Sequence, residues 1–383
     1  MTLDSVTARA AQLMSRFARR TGLYPASQMG QRYLWTDAFA VCNFIELFAR
    51  TGDELYRRCA EDLIDQVHDV LGRYRSDDRR HGWISGLPEE TGKRHPTIGG
   101  LRIGKPLKER QATEPIDERL EWDRDGQYFH YLTKWMHALC RATIISGGHP
   151  AHAVEALELG EAAFKGFARK AASGNVVGIY WKMSTDLSRP LTFGMSLHDA
   201  LDGLLTFREI QHVISKTHAQ GSAGDLTAAI TSISNLCRSK DWGTNDPLGM
   251  GGLLFDACRL SQLPQQHGDD DLLEEITNAY ESGIRTFVGS QLLTRPTSQR
   301  LAFRELGLAI GLKAIPTILE PKSSHLPYRS LAKEIIGAWL PCAESPDEVW
   351  QAHQDINDVM LATALIPDTF LSLDERIQLH DGQ

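Results

Sequence analysis

Apolar residues recur along most of this chain at the spacing of an α-helix. Leu55, Cys59, Leu63, Val67 and Val70 are separated by three or four residues, so they share one helical face. The same spacing returns throughout the 383 residues and predicts an all-α protein of twelve helices. Their predicted ranges are 3–20, 35–51, 53–74, 126–147, 149–172, 196–216, 223–239, 247–262, 269–291, 300–319, 328–343 and 347–370.

Local signals support several of these helix starts. The pair Asp246-Pro247 is typical of a cap followed by a first-turn proline, and the segments 196–199 and 345–348 read as capping boxes. β-branched and aromatic residues cluster at 176–183, where we expect one short strand pair.

The connections between the predicted helices alternate in length. Short loops fall at 51–53, 147–149 and 217–222, and longer loops fall at 21–34, 75–125, 173–195 and 292–299. Because short loops imply antiparallel neighbours, the helices should pair as hairpins. All long loops would then share one end, and the first helix would pair with the last to close a ring.

Twelve helices in six hairpins resemble the (α/α)6 toroid of the six-hairpin glycosidases and their relatives. That group includes unsaturated uronyl hydrolases and N-acylglucosamine 2-epimerases. The resemblance covers nearly the whole chain, but it is architectural and rests on no motif of one family. It implies a single domain over 1–383, with small β-hairpin and long loop insertions at one end and the 75–125 segment as a lid. Terpenoid cyclases share the toroid, so the fold does not fix the function.

Composition limits the partners that this chain can have. The formal net charge is −8, so no domain-wide positive field exists to attract nucleic acid or an anionic membrane. No apolar run reaches the ~18 residues of a membrane span, and no secretory leader is evident. The six cysteines are scattered without a Cys-x-x-Cys pair, which favours reduced thiols and a cytoplasmic location.

Carboxylates and aromatic rings recur at the starts of the presumed inner helices. Such sets suit a sugar site, because rings stack on pyranosides and acids transfer protons. The candidate catalytic acids are Asp125, Asp37, Asp199 and Glu305, although each could instead cap a helix. The candidate substrate-binding residues are Trp35, Arg102, Lys105, Trp122, Asp123, Tyr128, His130, Trp181, His198, Trp242 and His353.

Two polar features accompany these candidates. Gln127, His130, Lys134 and His137 form one stripe on the predicted helix 126–147, which would face a wet cavity or the solvent. The long 75–125 loop is basic in its middle and acidic at its end. Its cations could bind an anionic substrate, or the two halves could pair with each other.

The sequence gives no support for a metal or a cofactor. His130 and His137 would be about 10 Å apart along a helix, too far to share one ion. His198 and Asp202 have only Asp199 as a third ligand at helical spacing. The segment 99–105 matches G-x-x-x-x-G-K, but Pro106 replaces the magnesium-binding hydroxyl, so we expect no nucleotide site.

The sequence therefore favours a glycoside hydrolase that acts through paired carboxylates on a small saccharide, either neutral or anionic, with Asp125 as the first choice for general acid or base. One alternative is a sugar epimerase or isomerase that uses His130, His198 or His353. An isoprenoid cyclase or dehydratase and a non-enzymatic helical scaffold are the others. The expected partner is a small-molecule substrate, and a homo-oligomer is left open.

Overall fold

The computed structural model describes residues 4–26, 30–145, 150–192, 194, 197–217, 224–238, 240–318 and 326–374. Over these ranges the chain is mostly helical, which confirms the all-α expectation. None of the helices in this part of the chain is both long and apolar enough to cross a membrane. Ser196, the first residue of one predicted capping box, lies outside the described residues, as does most of the predicted short loops 147–149 and 217–222.

The helices and strands follow one another in a mixed order of long and short elements. The helices are α1 Ser5–Arg20, α2 Leu34–Thr51, α3 Glu54–Leu71, α4 Glu89–Arg94, α5 Glu118–Glu121, α6 Phe129–Ile145, α7 Pro150–Phe167, α8 Leu197–Lys216, α9 Thr227–Leu236, α10 Pro247–Gln262, α11 Asp269–Gly289, α12 Ala302–Ile318, α13 Leu326–Glu344, α14 Glu348–Ala352, α15 Gln354–Leu365 and α16 Asp368–Leu371. The strands are β1 Gln127–Tyr128, β2 Ala168–Lys170, β3 Val176–Ile179 and β4 Lys182–Met183, and two 3-10 turns lie at Leu292–Thr294 and Thr297–Gln299.

Two of the predicted helix starts are capped by aspartate. Asp246 accepts a hydrogen bond from the Gly249 amide at 2.9 Å, as the sequence predicts for α10. At 345–348 the cap is Asp347, which accepts from the Trp350 amide at 2.8 Å. The capping-box prediction placed the cap at Ser345, which is wrong because the Ser345 amide still donates to Pro341 at the end of α13.

The strand pair expected within 176–183 is wrong in its pairing. Both strands exist, but β3 pairs with β2 and β4 pairs with β1, each antiparallel. The two residues between β3 and β4 make bonds elsewhere: Tyr180 donates to the Phe167 carbonyl and Trp181 to the Gly194 carbonyl. The partner of β4 is therefore β1, which directly precedes α6, and the partner of β3 is β2, which directly follows α7.

Several predicted helix limits also need correction. The helix predicted to start at 126 starts at Phe129, because Gly126 has φ +139° and residues 127–128 belong to β1. The range 149–172 ends at Phe167, where β2 takes over. The range 347–370 is three helices, α14 to α16, interrupted at His353 and again at 366–367.

The chain divides into two compact units, and parts of α2 and α3 belong to each. Unit 1 comprises 1–20, 42–58 and 238–383, and unit 2 comprises 21–41 and 59–237. In unit 2, α6 packs against α7 and α8, and α8 packs against α7 and α9. Gly203 permits the contact of α8 with α6, because a Cβ atom there would overlap the Phe129 ring.

Unit 1 has its own helical core. There α10 packs against α11 and α12, α12 packs against α13 and α15, and α1 packs against α15. Gly251 faces the backbone of Gly307 so closely that any side chain would collide with it, so α10 and α12 pack closely at this point. Arg16 and Arg20 of α1 both bind the buried Asp358 carboxylate of α15 at 2.9 Å. All six cysteines lie in the described ranges and none forms a disulfide there, and five of them are buried.

Candidate functional site

Aromatic rings gather around the start of α6 in unit 2. The Tyr128 ring stacks on His130, with centroids 5.4 Å apart, and on Trp181, with centroids 5.0 Å apart. The pairing of β1 with β4 explains the second contact, because it fixes Tyr128 opposite Lys182, the residue after Trp181. We call the following set the aromatic cluster: Tyr33, Trp35, Trp122, Tyr128, His130, Tyr131 and Trp181.

Members of the aromatic cluster differ in exposure. Tyr128 and Trp35 are buried, whereas Trp122 is 54% exposed. The Trp122 ring meets Trp181 edge to face with centroids 4.9 Å apart, and Trp181 is half-buried. Trp122 therefore gives the cluster an aromatic surface that a ligand in solution can reach.

His130 is the titratable base of the aromatic cluster. Its side chain is 30% exposed, yet Nδ1 is buried and lies 3.9 Å from Oδ2 of Asp199. No residue of the described chain hydrogen-bonds to its ring, and Nε2 is not among the buried unpartnered atoms. The exposed edge of the ring therefore includes Nε2. Burial, helped by the positive charge of Lys134, lowers the pKa of His130 to about 4, so the ring is neutral near pH 7.

A second part of the site is a pair of tyrosine hydroxyls. The Tyr33 and Tyr131 hydroxyl oxygens lie 2.5 Å apart. The Tyr131 ring also meets His130 edge to face, with centroids 4.7 Å apart. The ammonium group of Lys105 lies 5.4 Å from the centre of the Tyr33 ring. A base, a hydroxyl pair and a cation thus neighbour one another through direct ring contacts.

The remaining members of the predicted polar stripe are directed at other groups of the protein. Lys134 donates to Oδ2 of Asp202 at 2.7 Å, and the buried His137 contacts Glu209 at 2.9 Å. Gln127 is buried in β1, before the helix begins. The expectation of a stripe facing a wet cavity or solvent is therefore wrong for these three residues, because their partners are protein groups.

Asp125 and Arg102 form a buried ion pair. Arg102 donates from Nη1 to Oδ2 of Asp125, and its other donors bind the carbonyls of Val70 and Arg73 at 2.7 Å each. Oδ1 of Asp125 accepts from the Gly104 amide at 3.0 Å, and the side chain of Asp125 is fully buried. These contacts hold the guanidinium group inside unit 2, and Lys105 is the cation of the predicted pair that stays beside the aromatic cluster.

The other predicted residues of unit 2 have diverse surroundings. Asp37 is buried, and its Oδ2 accepts from the Tyr33 amide at 3.0 Å, which is the geometry of a helix cap. Asp123 is exposed, close in sequence to Trp122. His198 is half-buried in the first turn of α8, next to Asp199.

Three predicted residues lie in unit 1. Both oxygens of Glu305 are bound, one by Arg300 at 2.8 Å and the other by Arg300 and the Trp339 indole. Trp242 is buried, and its Nε1 donates to Glu275 at 3.3 Å. His353 is exposed between α14 and α15 and meets the Phe303 ring edge to face at 5.8 Å.

Sequence reasoning missed Tyr33 and Tyr131 as functional residues. The two are 98 positions apart, and a contact between distant residues leaves no periodic signal in one sequence. Their nearness to Trp35 and His130, which were predicted, was the available hint. Asp202 was considered only as a metal ligand, and it binds Lys134 instead.

No group of three or more histidine, cysteine or acidic residues is arranged to hold a metal ion among the residues that the structure describes.

Comparisons with protein-family models, curated proteins and solved structures give no match for this chain.

Proposed function

We propose that this chain is a carbohydrate-active enzyme that moves a proton on its substrate, as a sugar epimerase or isomerase does. The observation that carries the proposal is His130, a neutral imidazole set among aromatic rings, with Nδ1 turned toward Asp199 and Nε2 on the exposed edge. A general base near neutral pH needs this combination of an unprotonated state and an accessible nitrogen.

The chemistry of such a step follows from the orientation of the ring. With the proton on Nδ1, facing the Asp199 carboxylate, Nε2 carries the lone pair. Nε2 can then take a proton from the carbon beside a sugar carbonyl, and the carboxylate stabilises the imidazolium that forms. Return of the proton to the other face of the same carbon gives an epimer. Its return to the former carbonyl carbon gives an isomer, with the hydroxyl proton of the first carbon passing to the former carbonyl oxygen.

The aromatic surface supports a sugar as the substrate. Trp122 and Trp181 are linked to His130 through the ring of Tyr128, and the C–H faces of a pyranose or of an open-chain sugar pack well against such rings. Lys105 adds a positive charge beside the Tyr33 ring of the same cluster, which favours a substrate with an anionic group.

Glycoside hydrolysis is the second candidate, and Asp199 favours it. Its carboxylate lies 3.9 Å from Nδ1 of His130, whose ring stacks on Tyr128. A hydrolase would need a second carboxylate about 5–5.5 Å or about 6.5–9.5 Å away. Asp125, the first choice from the sequence, has its oxygens engaged by Arg102 and backbone amides, as do Asp37 and Glu305 with their own partners.

The closed ring of six hairpins is part of this proposal. Its support is the packing of consecutive helices, since α6 packs on α7, α8 on α9, α10 on α11 and α12 on α13. The proposed location is the cytoplasm, supported by the lack of disulfides among the six cysteines of the described ranges. A small-molecule saccharide is the proposed partner.

Deuterium incorporation tests the proposal. The protein is incubated with a panel of neutral and acidic sugars in deuterated water and the products are followed by NMR. Epimerisation or isomerisation places deuterium on a sugar carbon without cleavage, whereas hydrolysis frees a new reducing end. The variant His130→Gln should lose the exchange on the order of a hundredfold or more. The matched control His81→Gln, at an exposed histidine of unit 2, should keep it.

Exchange that persists in His130→Gln would remove this histidine from the mechanism. A panel that gives neither deuterium nor new reducing ends would contradict both carbohydrate reactions. Isoprenoid diphosphates would be the next substrates, because acids and aromatic rings also suit a cyclase.

A further inference from the structure

The hydroxyl contact between Tyr33 and Tyr131 leaves one proton unused. Each phenol has a single O–H, and in a bond of 2.5 Å one of them donates while the other accepts. The accepting hydroxyl keeps its own proton, and no described residue offers that proton an acceptor. The pair therefore keeps one O–H that can donate to a ligand.

One cation, Lys105, lies near the Tyr33 ring of this hydroxyl pair. Lys105 places its ammonium 5.4 Å from the centre of the Tyr33 ring, and its ammonium group forms no ion pair with the carboxylates of the described chain. Arg102, three residues earlier, is held by Asp125 instead. A donor next to an uncompensated cation favours an oxygen atom that carries negative charge.

The donor also lies beside the proposed base. The Tyr131 ring contacts His130 with centroids 4.7 Å apart, and the two residues are consecutive at the start of α6. Burial raises the pKa of Tyr131 well above its usual value, so this hydroxyl stays protonated and able to donate near neutral pH.

We infer that the Tyr33–Tyr131 hydroxyl pair, together with Lys105, binds the carbonyl oxygen of an open-chain sugar and stabilises it as an oxyanion. This inference rests on the proposed function, because His130 supplies the other half of the step. The C–H bond next to the carbonyl breaks and its proton goes to Nε2 of His130. Its electron pair forms a carbon–carbon double bond, and the carbonyl π pair moves onto the oxygen. The reverse movement restores the carbonyl, so no oxidant or reductant is needed.

The site therefore selects ligands with an enediolate-like oxygen pair over neutral polyols. A hydroxamate of a six-carbon sugar acid imitates that oxygen pair, and the alditol of the same length is the neutral comparison. Calorimetry should show the hydroxamate binding at least about tenfold more tightly to the unmodified protein, which is the scale of one charge-assisted hydrogen bond.

The variants separate the hydroxyl pair from its rings. Tyr33→Phe and Tyr131→Phe keep the rings and remove one oxygen each, and each still leaves a single hydroxyl to donate. We expect partial loss of the hydroxamate preference in either variant and complete loss in the double variant. Tyr74→Phe, at a half-buried tyrosine outside the aromatic cluster, should keep the preference. Lys105→Met tests the cation without touching the hydroxyls and should lower the preference as well.

The outcomes distinguish this inference from the proposed function. His130→Gln should lose deuterium exchange and keep the hydroxamate preference. Equal binding of hydroxamate and alditol to the unmodified protein would overturn the inference. A hydroxamate preference that survives in the double tyrosine variant would also overturn the inference. If the double variant does not fold, a preference that survives in Lys105→Met would overturn it instead. A hydroxamate preference combined with undiminished exchange in His130→Gln would overturn the proposed base and leave the oxyanion site standing.

Discussion

Arg102 donates to the carboxylate of Asp125, and both side chains are buried. The guanidinium group also donates to the backbone carbonyls of Val70 and Arg73. The ion pair therefore joins three stretches of unit 2, at residues 70–73, 102 and 125. A buried charge that loses its partner is costly, because the low-dielectric interior cannot solvate it.

Replacing Asp125 by Asn should therefore act on stability. Asn keeps the shape of the side chain but leaves Arg102 as an uncompensated buried charge, and we expect the free energy of unfolding to fall by about 3 kcal/mol. Urea denaturation followed by circular dichroism measures this. A variant of unchanged stability that loses a hundredfold in turnover would instead support the catalytic role that the sequence suggested.

Arg102 and Lys105 should behave differently when each is replaced by Ala. Arg102→Ala removes the cation bonded to the buried Asp125 carboxylate and leaves only Arg75, at 3.8 Å, so it should lower the melting temperature clearly. Lys105→Ala loses one cation–π contact, worth about 0.5–1 kcal/mol, and should instead weaken the binding of acidic sugars more than neutral ones. Titration of both variants with a sugar acid and its neutral alditol gives the comparison. Equal effects on the two ligands in Lys105→Ala would mean that this cation does not contact substrate.

The rate of deuterium exchange should depend little on pH above about 6. Burial holds the pKa of His130 near 4, below its usual value of about 6.5, so the base form is already fully present at neutral pH. The rate should fall only as the pH approaches about 4. A profile with a midpoint between 6 and 7 would show that another group supplies the base.

His68 should make the fold sensitive to acid. Its Nε2 accepts a hydrogen bond from the Trp135 indole at 3.1 Å, and burial lowers its pKa although Glu155 lies 3.7 Å away. The folded state thus binds this proton less readily than the unfolded chain. The stability that depends on neutral His68 is present above about pH 6.5 and is lost progressively as the pH falls toward the lower pKa of the folded state.

The variant His68→Gln tests this, because Gln can accept from the Trp135 indole and does not titrate. Between pH 7 and pH 5, the urea midpoint of the unmodified protein should drop more steeply than that of His68→Gln. His81→Gln is the exposed control and should follow the unmodified protein. Identical slopes for all three would assign acid sensitivity to other groups.

Trp122 should contribute to ligand binding and little to folding. It is 54% exposed and rests on Trp181, so its removal uncovers little of the core. We expect Trp122→Ala to weaken saccharide binding about tenfold, the scale of one aromatic stacking contact, with a melting temperature near that of the unmodified protein. Quenching of tryptophan fluorescence by the ligand should also decrease. Unchanged affinity would place the sugar away from this ring.

The helices could be predicted from the sequence because their signal is local. Apolar spacing located α1, α2, α3 and α10 to within a few residues, and Asp246 marked the start of α10 through a cap that spans three positions. The start of α6 was misplaced because residues 127 and 128 form β1, which pairs with β4 at residues 182 and 183. Periodicity within a window of a helical turn carries no information about that pairing.

The residues of the candidate site could be predicted from local sequence, but their contacts with distant residues could not. His130, Trp122 and Trp181 were predicted from residue type and position, and they lie together. The partners that decide what each residue can do are distant in sequence. Arg102, 23 positions before Asp125, engages the carboxylate that the sequence favours as a catalytic acid, and the hydroxyl of Tyr33 meets that of Tyr131, 98 positions later.

The side-chain amide of Gln127 holds backbone segments together by hydrogen bonds, as the backbone bonds of a β-ladder usually do. Its Oε1 accepts from the Leu101 amide at 2.9 Å, and its Nε2 donates to the carbonyls of Gly99 and Thr185 at 3.1 and 2.6 Å. Gly100 is needed there, since a Cβ atom would overlap this amide. The Gln127 side chain therefore joins β1 to the backbone of residues 99–101 and of Thr185, and we expect these three stretches to open as one cooperative unit. The Leu101 amide hydrogen should then exchange with solvent only when Gln127 is released. Its exchange rate should match that of β1 rather than that of the surrounding loop.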